Sequence, residues 1–423
     1  MSGQARPSRS ERPRVVIIVQ NLPVPFDRRV WLECQSLVGH GYDVTVVCPQ
    51  GEGTRSTQVV DGVRILAYPA YAPGGRALSY VVEYAWSFLA TAGLVLRARR
   101  DGAFDVMQAC NPPDIFWPLA RWLRGRDGTR FVFDHHDLCP ELYLSRFEGQ
   151  RGAQYRGLLF LERQTFRTAD RVTSTNESYA AIAGSRGGKS PDEVTVVRTG
   201  PDPEVLRRRE PVPSLRRGRP HLVAYLGVMG PQDGVDLALG AADVIVNQMG
   251  RQDICFTFMG SGDSHAELVR RRDELGLTDA VELPGRVPDE FVAEVLSTAD
   301  VGLSPDPLNP LNDVSTMNKT MEYMAFGLPV VAFDLRETRV SADDAAVYVR
   351  PNDVVEYARA VVDLVDDPGR RAEMGRRGRE RVEQHLAWQH QQRGYLRVFD
   401  ELVGRGSRGA GDAADSSLVG MGA

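Results

Sequence analysis

The sequence predicts an α/β protein of two tandem domains, each a parallel β-sheet with helices on both faces, which face each other across a cleft. Two observations support this architecture. Short β-branched runs alternate with helical patterns along most of the 423 residues, as in repeated βαβ units. A proline- and arginine-rich stretch without apolar periodicity interrupts the alternation near the middle, and a chain of this length is comfortable as two domains.

The first alternating series defines a predicted N-terminal domain over residues 14–202. Its first element is the run VVIIVQ at 15–20, which is typical of a buried parallel strand because it is short and β-branched. The other predicted strands lie at 43–49, 64–70, 105–110, 130–134, 171–176 and 193–200, and the predicted helices at 28–42, 81–99 and 115–125. The alternation makes this half Rossmann-like.

A predicted linker at 203–219 leads into a second Rossmann-like domain at 220–385. Its predicted strands lie at 221–227, 254–260, 281–285, 301–305 and 346–350, and its helices at 235–246, 265–276, 288–299 and 355–367. A terminal helix at 386–404 is expected to cross back to the N-terminal domain. The tails at 1–13 and 405–423 are predicted to be disordered because they are polar or rich in small residues.

Composition narrows the class of protein. The net charge of -5 excludes a general attraction to nucleic acid. The five cysteines form no CxxC pair, which indicates reduced thiols and no zinc site. The N-terminus has no apolar core of a signal peptide, so the predicted location is the cytoplasm. The apolar stretch 81–96 is too short to span a bilayer and carries Glu83, so we expect a buried or surface-lying helix.

The stretch STMNKTMEYMAFGLPVVAFD, residues 315–334, contains one of only two lysines in the chain. Ser315 or Thr316 is predicted to cap a helix that Gly327 ends. Lys319 then lies in the first turn, where free N–H groups and the helix dipole favour an anion such as phosphate. Glu322 lies on the same face and is suited to bind a ribose diol. The alternative is an exposed Lys319–Glu322 ion pair without function.

The pattern N-K-x-x-E-Y-M-A-x-G-x-P-V-V at 318–331 resembles the donor-binding signature of retaining glycosyltransferases of the GT-B fold and the family 4 type (glycosyl transferases group 1). The similarity extends over nearly the whole chain apart from the tails. It implies that Glu322 binds the nucleotide ribose. It also implies that the helix start, with Ser315, Thr316, Asn318 and Lys319, receives the diphosphate.

The sequence departs from the family pattern at the donor sugar. A second glutamate usually stands eight residues before the ribose-binding one, but this chain has Val314 there. The contact is therefore either missing or supplied by Asp313 or Asn312. The glycine loop after residue 226 includes Gly227 and Gly230, where backbone can approach a ligand.

That glycine loop also lacks the arginine and lysine that clamp the diphosphate in many relatives. Val228 or Met229 and Gln232 or Asp233 stand in their places. This increases the importance of Lys319. Further along, Gly260–Gly262 is read as a tight turn, and Val287 matches the position where relatives contact the base.

The predicted N-terminal domain contributes a cluster at the end of the strand 130–134, in the sequence DHHDLCPELY. The resemblance implies that His136 faces the donor sugar or the transferring centre and that Asp137 orients it or touches the acceptor. Glu141 belongs to the same cluster. The alternatives are metal binding, which the irregular ligand spacing disfavours, and a structural Asp–His hydrogen bond. His135 is the less favoured histidine.

A further loop, NLPVPFDRR, follows the first predicted strand. Asp27 is predicted to bind acceptor hydroxyls, and Arg28 to reach phosphate. The alternative is that the arginines open a solvated helix face.

The resemblance implies transfer of a sugar, with retention, from a UDP- or GDP-sugar to an acceptor hydroxyl in polysaccharide or lipid-linked glycan assembly. Glycosylation of a small natural product is the alternative. No metal or cofactor is expected beyond the nucleotide-sugar co-substrate. The basic, amphipathic segment 146–167 is suited to rest on an anionic membrane, although such segments are more often solvated helices.

Rival functions come from other classes. A nucleotide-sugar 2-epimerase has the same fold but needs more ionisable groups around the sugar than the sequence offers. A non-catalytic nucleotide-sugar binder would explain the missing glutamate. A dinucleotide oxidoreductase would need a GxGxxG motif after a first strand, and neither half has one there.

Overall fold

The computed structural model describes residues 12–51, 55–71, 77–146 and 151–405, which form two α/β domains in contact across a cleft. The predicted two-domain architecture is confirmed. Most of the two predicted disordered tails, at 1–13 and 405–423, lies outside the described residues. None of the described helices is long and apolar enough to cross a membrane.

The N-terminal sheet has eight strands in the order β3-β4-β2-β1-β5-β6-β7-β8. They are β1 (Arg14–Ile18), β2 (Asp43–Pro49), β3 (Thr57–Val60), β4 (Val63–Tyr68), β5 (Val106–Cys110), β6 (Arg130–His135), β7 (Arg171–Ser174) and β8 (Val194–Val196). All pair in parallel except β3, which pairs antiparallel with β4. The edge strand β3 is absent from the prediction because it is short and half exposed. Its one strong sequence signal is the Asp61–Gly62 turn, in which both residues have positive φ.

Helices cover both faces of this sheet. They are α1 (Arg28–Gly39), α2 (Ala77–Ala98), α3 (Trp117–Asp127), α4 (Cys139–Arg146), α5 (Ala153–Thr168) and α6 (Glu177–Ser185). Helix α1 packs into the apolar core on one face, whereas α2, α3, α5 and α6 contribute to the core on the other. The sequence prediction omits α4 and α6, which are short and directly follow strands. Asn176 caps α6 by accepting a hydrogen bond from the Tyr179 backbone N–H.

The C-terminal sheet has six parallel strands in the order β11-β10-β9-β12-β13-β14. They are β9 (His221–Leu226), β10 (Ile254–Met259), β11 (Val281–Gly285), β12 (Val301–Ser304), β13 (Val330–Phe333) and β14 (Ala346–Val349). The helices are α7 (Val235–Asp243), α8 (His265–Glu274), α9 (Asp289–Thr298), α10 (Asn318–Ala325), α11 (Arg336–Ala342), α12 (Val354–Asp366) and α13 (Pro368–Arg381). The prediction lacks β13, α11 and most of α13.

The last described helix, α14 (Trp388–Val403), lies on the N-terminal sheet and packs against α1. Trp388 Nε1 donates a hydrogen bond to Ser36 Oγ at 2.9 Å, and the Tyr395 hydroxyl donates to Gln108 Oε1 at 2.8 Å. Trp388 and Tyr395 belong to the same apolar core as α1. The end of the chain therefore ties the two domains together.

The domains also contact each other where α6 and the residue that caps it face the loop before α10. Asn176 Nδ2 donates to the Val314 carbonyl at 2.9 Å, and the Tyr179 hydroxyl lies 2.9 Å from Ser315 Oγ. Leu138, Tyr179 and Leu311 form a small apolar core between the domains. Because ligands of open parallel sheets bind at the carboxyl ends of the strands, this arrangement directs attention to the loops that line the cleft.

Candidate active site

The helix start predicted to receive an anion is present at α10, but it begins at Asn318, later than a cap at Ser315 or Thr316 would place it. The prediction that Ser315 or Thr316 caps it is wrong, because no side chain makes a cap hydrogen bond at this helix start. Thr316 Oγ1 instead accepts a hydrogen bond from Asn176 Nδ2 at 3.0 Å, and Ser315 Oγ bonds to the Leu311 carbonyl. The two hydroxyls hold the domains together, and no side-chain cap takes up the backbone N–H groups of Asn318 and Lys319, whereas the Thr320 N–H donates to the Met317 carbonyl at 3.0 Å.

Lys319 lies in the first turn of α10, as predicted, in a slot beside the glycine loop. Its ammonium lies 2.5 Å from Asp306 Oδ1 and 5.4 Å from the centroid of the Tyr225 ring, and the side chain is 9% exposed. Burial alone would lower the pKa of Lys319, but Asp306 and Asp233 outweigh it and raise that pKa. Lys319 is therefore a fixed positive charge, and the slot suits a compact ammonium better than a wide guanidinium.

The predicted glycine loop meets a second glycine turn at the carboxyl ends of β9 and β10. A Cβ atom on Gly227 would lie 3.0 Å from Lys319 Cε, so the backbone passes directly over the lysine. A Cβ on Gly260, where φ is 144°, would lie 1.7 Å from the Gly227 carbonyl oxygen. Gly230 N–H donates to Asp233 Oδ2 at 2.9 Å. Gly260 therefore holds the loop against Lys319, as a turn residue rather than as a ligand.

This contact predicts that Gly260→Ala destabilises the C-terminal domain by about 1–3 kcal/mol, because the added methyl group overlaps a backbone oxygen. The measurement is urea-induced unfolding. Gly250→Ala is the control, because Gly250 also has a positive φ of 70° but no neighbouring atom within 4 Å of the new Cβ. Equal destabilisation by the two variants would show that the close approach to Gly227 has no energetic weight.

Glu322, the predicted ribose ligand, faces the N-terminal domain. Arg28 reaches across the cleft and places Nη1 3.3 Å from Glu322 Oε1 and Nη2 2.7 Å from Asp289 Oδ1. Burial raises the pKa of Glu322, although Arg28 opposes the shift. The alternative reading of an exposed Lys319–Glu322 pair is wrong, since each residue has another partner. The role of Arg28 toward phosphate stays a prediction.

His136 stands at the end of β6, and a buried carboxylate orients its ring. His136 Nδ1 lies 2.7 Å from Asp134 Oδ2. Burial alone would lower the pKa of His136, but Asp134 outweighs it and raises that pKa. Asp137 was one predicted partner that would orient His136, but the carboxylate that bonds to Nδ1 in the structure is that of Asp134. With Nδ1 engaged, Nε2 is the ring atom suited to meet a ligand.

Asp134 is itself the centre of a buried polar network. Both of its oxygens accept hydrogen bonds from Arg29, at 3.0 and 2.6 Å, and Thr173 Oγ1 donates at 2.8 Å. Glu33 also lies 3.2 Å from Arg29, but burial and then the charge of Asp134 raise the pKa of Glu33 to about 8. At neutral pH the charged pair is therefore Arg29 with Asp134.

Cys110, Asp134 and His136 each place a ligand-type atom within 4.8 Å of the others. The chemistry of these groups fits a cation poorly. Arg29 already neutralises Asp134, and burial raises the pKa of the Cys110 thiol well above its usual value. The cluster orients His136.

The remaining predicted residues of the N-terminal domain have structural partners. Asp27 caps α1 by accepting a hydrogen bond from the Val30 backbone N–H. Glu141 forms a bidentate ion pair with Arg186, with N–O distances of 2.5 and 3.1 Å. His135 is fully buried among aromatic rings. Acceptor binding by Asp27 and Glu141 stays a prediction.

Asp137 follows His136 where the chain turns into α4. Its backbone N–H donates to Asn111 Oδ1 at 3.0 Å, and its own Oδ1 accepts from the Leu138 N–H at 2.8 Å. These bonds fix the loop after β6. An acceptor contact by Asp137 stays a prediction.

The donor side contains the other predicted positions. Asn318 is exposed at the start of α10, and Val287 is half buried against the core near β11. Asn312, a candidate for the missing sugar contact, donates instead to the carbonyls of Gln232 and Pro307. Asp313 accepts a hydrogen bond from the Arg336 backbone N–H. Both residues hold loops in place in this structure.

Family models match both halves of the chain. The model for glycosyl transferases group 1 matches residues 220–367, and the model for the glycosyl transferase 4-like domain matches residues 27–200. The chain belongs to the group 1 glycosyl transferases. The match to the first model includes Lys319 and Glu322, and the match to the second includes Arg28 and His136.

Two curated glycosyltransferases are similar in sequence. The chain is 26% identical over 258 residues to the 2-deoxystreptamine glucosyltransferase of Streptomyces kanamyceticus, which covers 58% of this chain and 64% of that protein. It is 26% identical over 425 residues to the D-inositol 3-phosphate glycosyltransferase of Gordonia bronchialis, which covers 92% of this chain and 88% of that protein.

A solved structure of Anabaena HepE in complex with UDP-glucose has the same fold as this glycosyltransferase. The TM-score is 0.69 at 14% identity, over 92% of this chain and 99% of that one. This similarity confirms the GT-B fold.

Sequence reasoning missed Asp134 and Asp306, the carboxylates that hold His136 and Lys319. Asp134 stands two residues before His136, on the strand that ends at His135, and an i, i+2 spacing along extended backbone places side chains on the same face. Asp306 follows β12 at the carboxyl end of the sheet, close to the start of α10. In both cases a carboxylate at a strand end was the available signal.

Proposed function

We propose that this glycosyltransferase transfers a sugar, with retention, from a UDP- or GDP-sugar to an acceptor hydroxyl. One observation carries the proposal: the first two turns of α10 carry Lys319 and Glu322 one turn apart, and Arg28 of the opposite domain contacts Glu322 across the cleft. A pyrophosphate group fits the positive charge and free N–H groups at the helix start. A ribose diol fits the carboxylate one turn further on.

In the proposed reaction the bond between the anomeric carbon and the β-phosphate oxygen breaks, and the diphosphate leaves. Lys319 and the start of α10 stabilise the charge that develops on it. The acceptor oxygen bonds to the anomeric carbon on the same face, and its proton passes to the leaving phosphate oxygen. His136, held by Asp134 and carrying a raised pKa, is positioned to donate a hydrogen bond toward the sugar. We propose that no metal takes part.

Two acceptor classes each have support. The first is a growing polysaccharide or a lipid-linked glycan, which the exposed apolar and basic surface of the N-terminal domain favours. A small natural product is the second. The two curated relatives favour that second class, since the acceptors in their names, 2-deoxystreptamine and inositol phosphate, are small polyols.

The test is donor turnover by the purified chain. A panel of nucleotide sugars is incubated with each acceptor class, and turnover is measured as the release of UDP or GDP. We expect one donor to be consumed and the new glycosidic bond to keep the donor's anomeric configuration, as read by proton NMR. An inverted product would overturn the retaining mechanism. Absence of turnover with every donor would favour a non-catalytic binder.

Glu322→Ala is predicted to weaken binding of the matching nucleotide diphosphate by at least about tenfold, because ribose hydrogen bonds to a carboxylate are lost. Isothermal calorimetry measures the change. Asp289→Ala is the matched control, since it also removes a partner of Arg28 but lies outside α10. Equal affinity in wild type and Glu322→Ala would contradict the ribose assignment.

A further inference from the structure

The outer face of α2 carries an apolar stripe that is exposed to solvent. Val82, Trp86, Leu89 and Leu96 are 46, 44, 68 and 40% exposed, and their spacing of three, four or seven residues places them on one helical face. Trp86 Nε1 donates to the Pro69 carbonyl at 3.0 Å. The one polar atom of the Trp86 ring is thus satisfied while the ring remains open to its surroundings.

The opposite face of α2 is buried in the domain core. Ser87, Thr91, Val95 and Ala98 are at most 1% exposed. No charged residue occurs between Tyr84 and Leu96, so neither face of the helix carries a charge over this stretch. A solvated helix normally has a polar outer face, and a contiguous exposed apolar stripe marks a surface that something covers.

Two neighbouring helices extend this surface. Helices α2, α3 and α5 lie on the same side of the sheet, since they contribute to one apolar core. Trp122 on α3 is 45% exposed and Phe160 on α5 is 55% exposed. Arg99, just after α2, packs 5.6 Å from the Trp122 ring, and Arg121 on α3 bonds to Gln164 on α5.

Unpaired positive charge surrounds the aromatic and aliphatic side chains. Six exposed arginines on or next to these helices make no ion pair among the described residues: Arg97, Arg100, Arg126, Arg156, Arg163 and Arg167. The nearby acidic residues are already engaged. Asp101 pairs with Arg64, Asp127 with Arg99, and Asp170 with Arg124.

We propose that the outer face of α2, α3 and α5 docks on an anionic lipid bilayer. Exposed tryptophan, leucine and phenylalanine side chains enter the headgroup boundary, and the surrounding arginines meet lipid phosphates. A second copy of this chain is a poorer occupant, because a symmetric contact would place unpaired arginines against one another. The sequence analysis suggested membrane contact for 146–167 and a buried or surface-lying helix at 81–96, and the structure brings α2 and α5 together on one surface.

The surface lies close to the acceptor side of the cleft. Glu83, next to Val82 at the start of the stripe, accepts a hydrogen bond from Gln20 Nε2 at 2.9 Å. Gln20 follows β1, whose carboxyl end faces the cleft. This inference rests on the proposed function. A bilayer docked on this surface would bring a lipid-linked acceptor to the N-terminal domain.

The test is co-sedimentation of the full chain with vesicles of phosphatidylcholine alone or mixed with phosphatidylglycerol. We expect at least about tenfold stronger binding to the anionic vesicles. Two double variants should each lose most of it: Leu89→Ser with Leu96→Ser, and Arg163→Glu with Arg167→Glu. The control for the apolar pair is Val59→Ser with Val355→Ser, which replaces apolar side chains of similar exposure elsewhere. The control for the arginine pair is Arg359→Glu with Arg393→Glu, which makes the same charge change on other exposed surfaces.

Any one of three outcomes would overturn the proposal. The first is that the wild type does not bind anionic vesicles. The second is that the control pairs lose as much binding as the test pairs, and the third is that the apolar pair dissociates a dimer in size-exclusion chromatography. Nucleotide binding, measured on every variant without vesicles, reports on folding and on the donor site. It therefore separates failure of the membrane surface from failure of the transferase assignment.

Discussion

Lys319→Ala is expected to lower the rate of sugar transfer by about 10²–10³-fold, the usual effect of removing one group that stabilises a developing negative charge. The ammonium is the positive side chain that the structure fixes at the start of α10, 2.5 Å from Asp306 and beside the glycine loop. The diphosphate leaving group would lose that charge. The measurement is kcat with the donor identified from the panel.

The single variant also leaves Asp306, which is 2% exposed, without its ion-pair partner. Some loss of stability is therefore expected, and it must be separated from the loss of chemistry. The double variant Lys319→Ala with Asp306→Asn removes both charges and should regain stability without regaining kcat. If the double variant recovered kcat as well, Lys319 would act only by neutralising Asp306, and its role toward phosphate would be wrong.

Asp134→Ala is expected to destabilise the N-terminal domain by about 3–5 kcal/mol, because it breaks the buried ion pair with Arg29. Asp134 and Arg29 are 0 and 6% exposed and share two hydrogen bonds. The charge of Asp134 is one cause of the raised pKa of Glu33, so in this variant that pKa falls. Glu33, 3.2 Å from Arg29, then takes over part of the lost charge, which places the expected loss at the lower end of this range. Urea unfolding monitored by circular dichroism measures the effect.

The control for this prediction removes both charges. Asp134→Leu with Arg29→Met should be clearly less destabilised than Asp134→Ala, as expected when a buried pair is deleted together rather than broken. An equal loss in the single and double variants would indicate that packing, and not the unpaired guanidinium, sets the cost.

The sequence predicts the architecture well because buried parallel strands and amphipathic helices leave strong periodic signals. Examples are the run 15–20, which contains most of β1, and the amphipathic helix α12. Edge strand β3 and the short helices α4, α6 and α11 leave weak ones. They are stabilised by a turn, a cap or tertiary packing rather than by long apolar patterns.

The candidate site is predicted in outline only. Local pattern places Lys319 and Glu322 one turn apart on α10, and this placement is confirmed. Partners that are distant in sequence cannot be read from local pattern. Examples are Arg28 with Glu322, 294 residues apart, and Tyr179 with Ser315, 136 residues apart.

Ser315 and Thr316 illustrate the same limit. Their residue types suit a helix cap, but contacts from Asn176 and Tyr179 in the other domain draw both hydroxyls away from α10. Tertiary contacts therefore override a local preference that, by itself, is sound.

The central claim is that a nucleotide diphosphate binds at the start of α10 through Lys319. The most direct test is calorimetric titration of UDP, GDP, dTDP, CDP and ADP in EDTA, against the wild type and the variant Lys319→Ala with Asp306→Asn. We predict that one diphosphate binds the wild type and that the variant binds it at least about tenfold more weakly. Binding of that diphosphate with equal affinity to both proteins, or binding of none to the wild type, would contradict the claim.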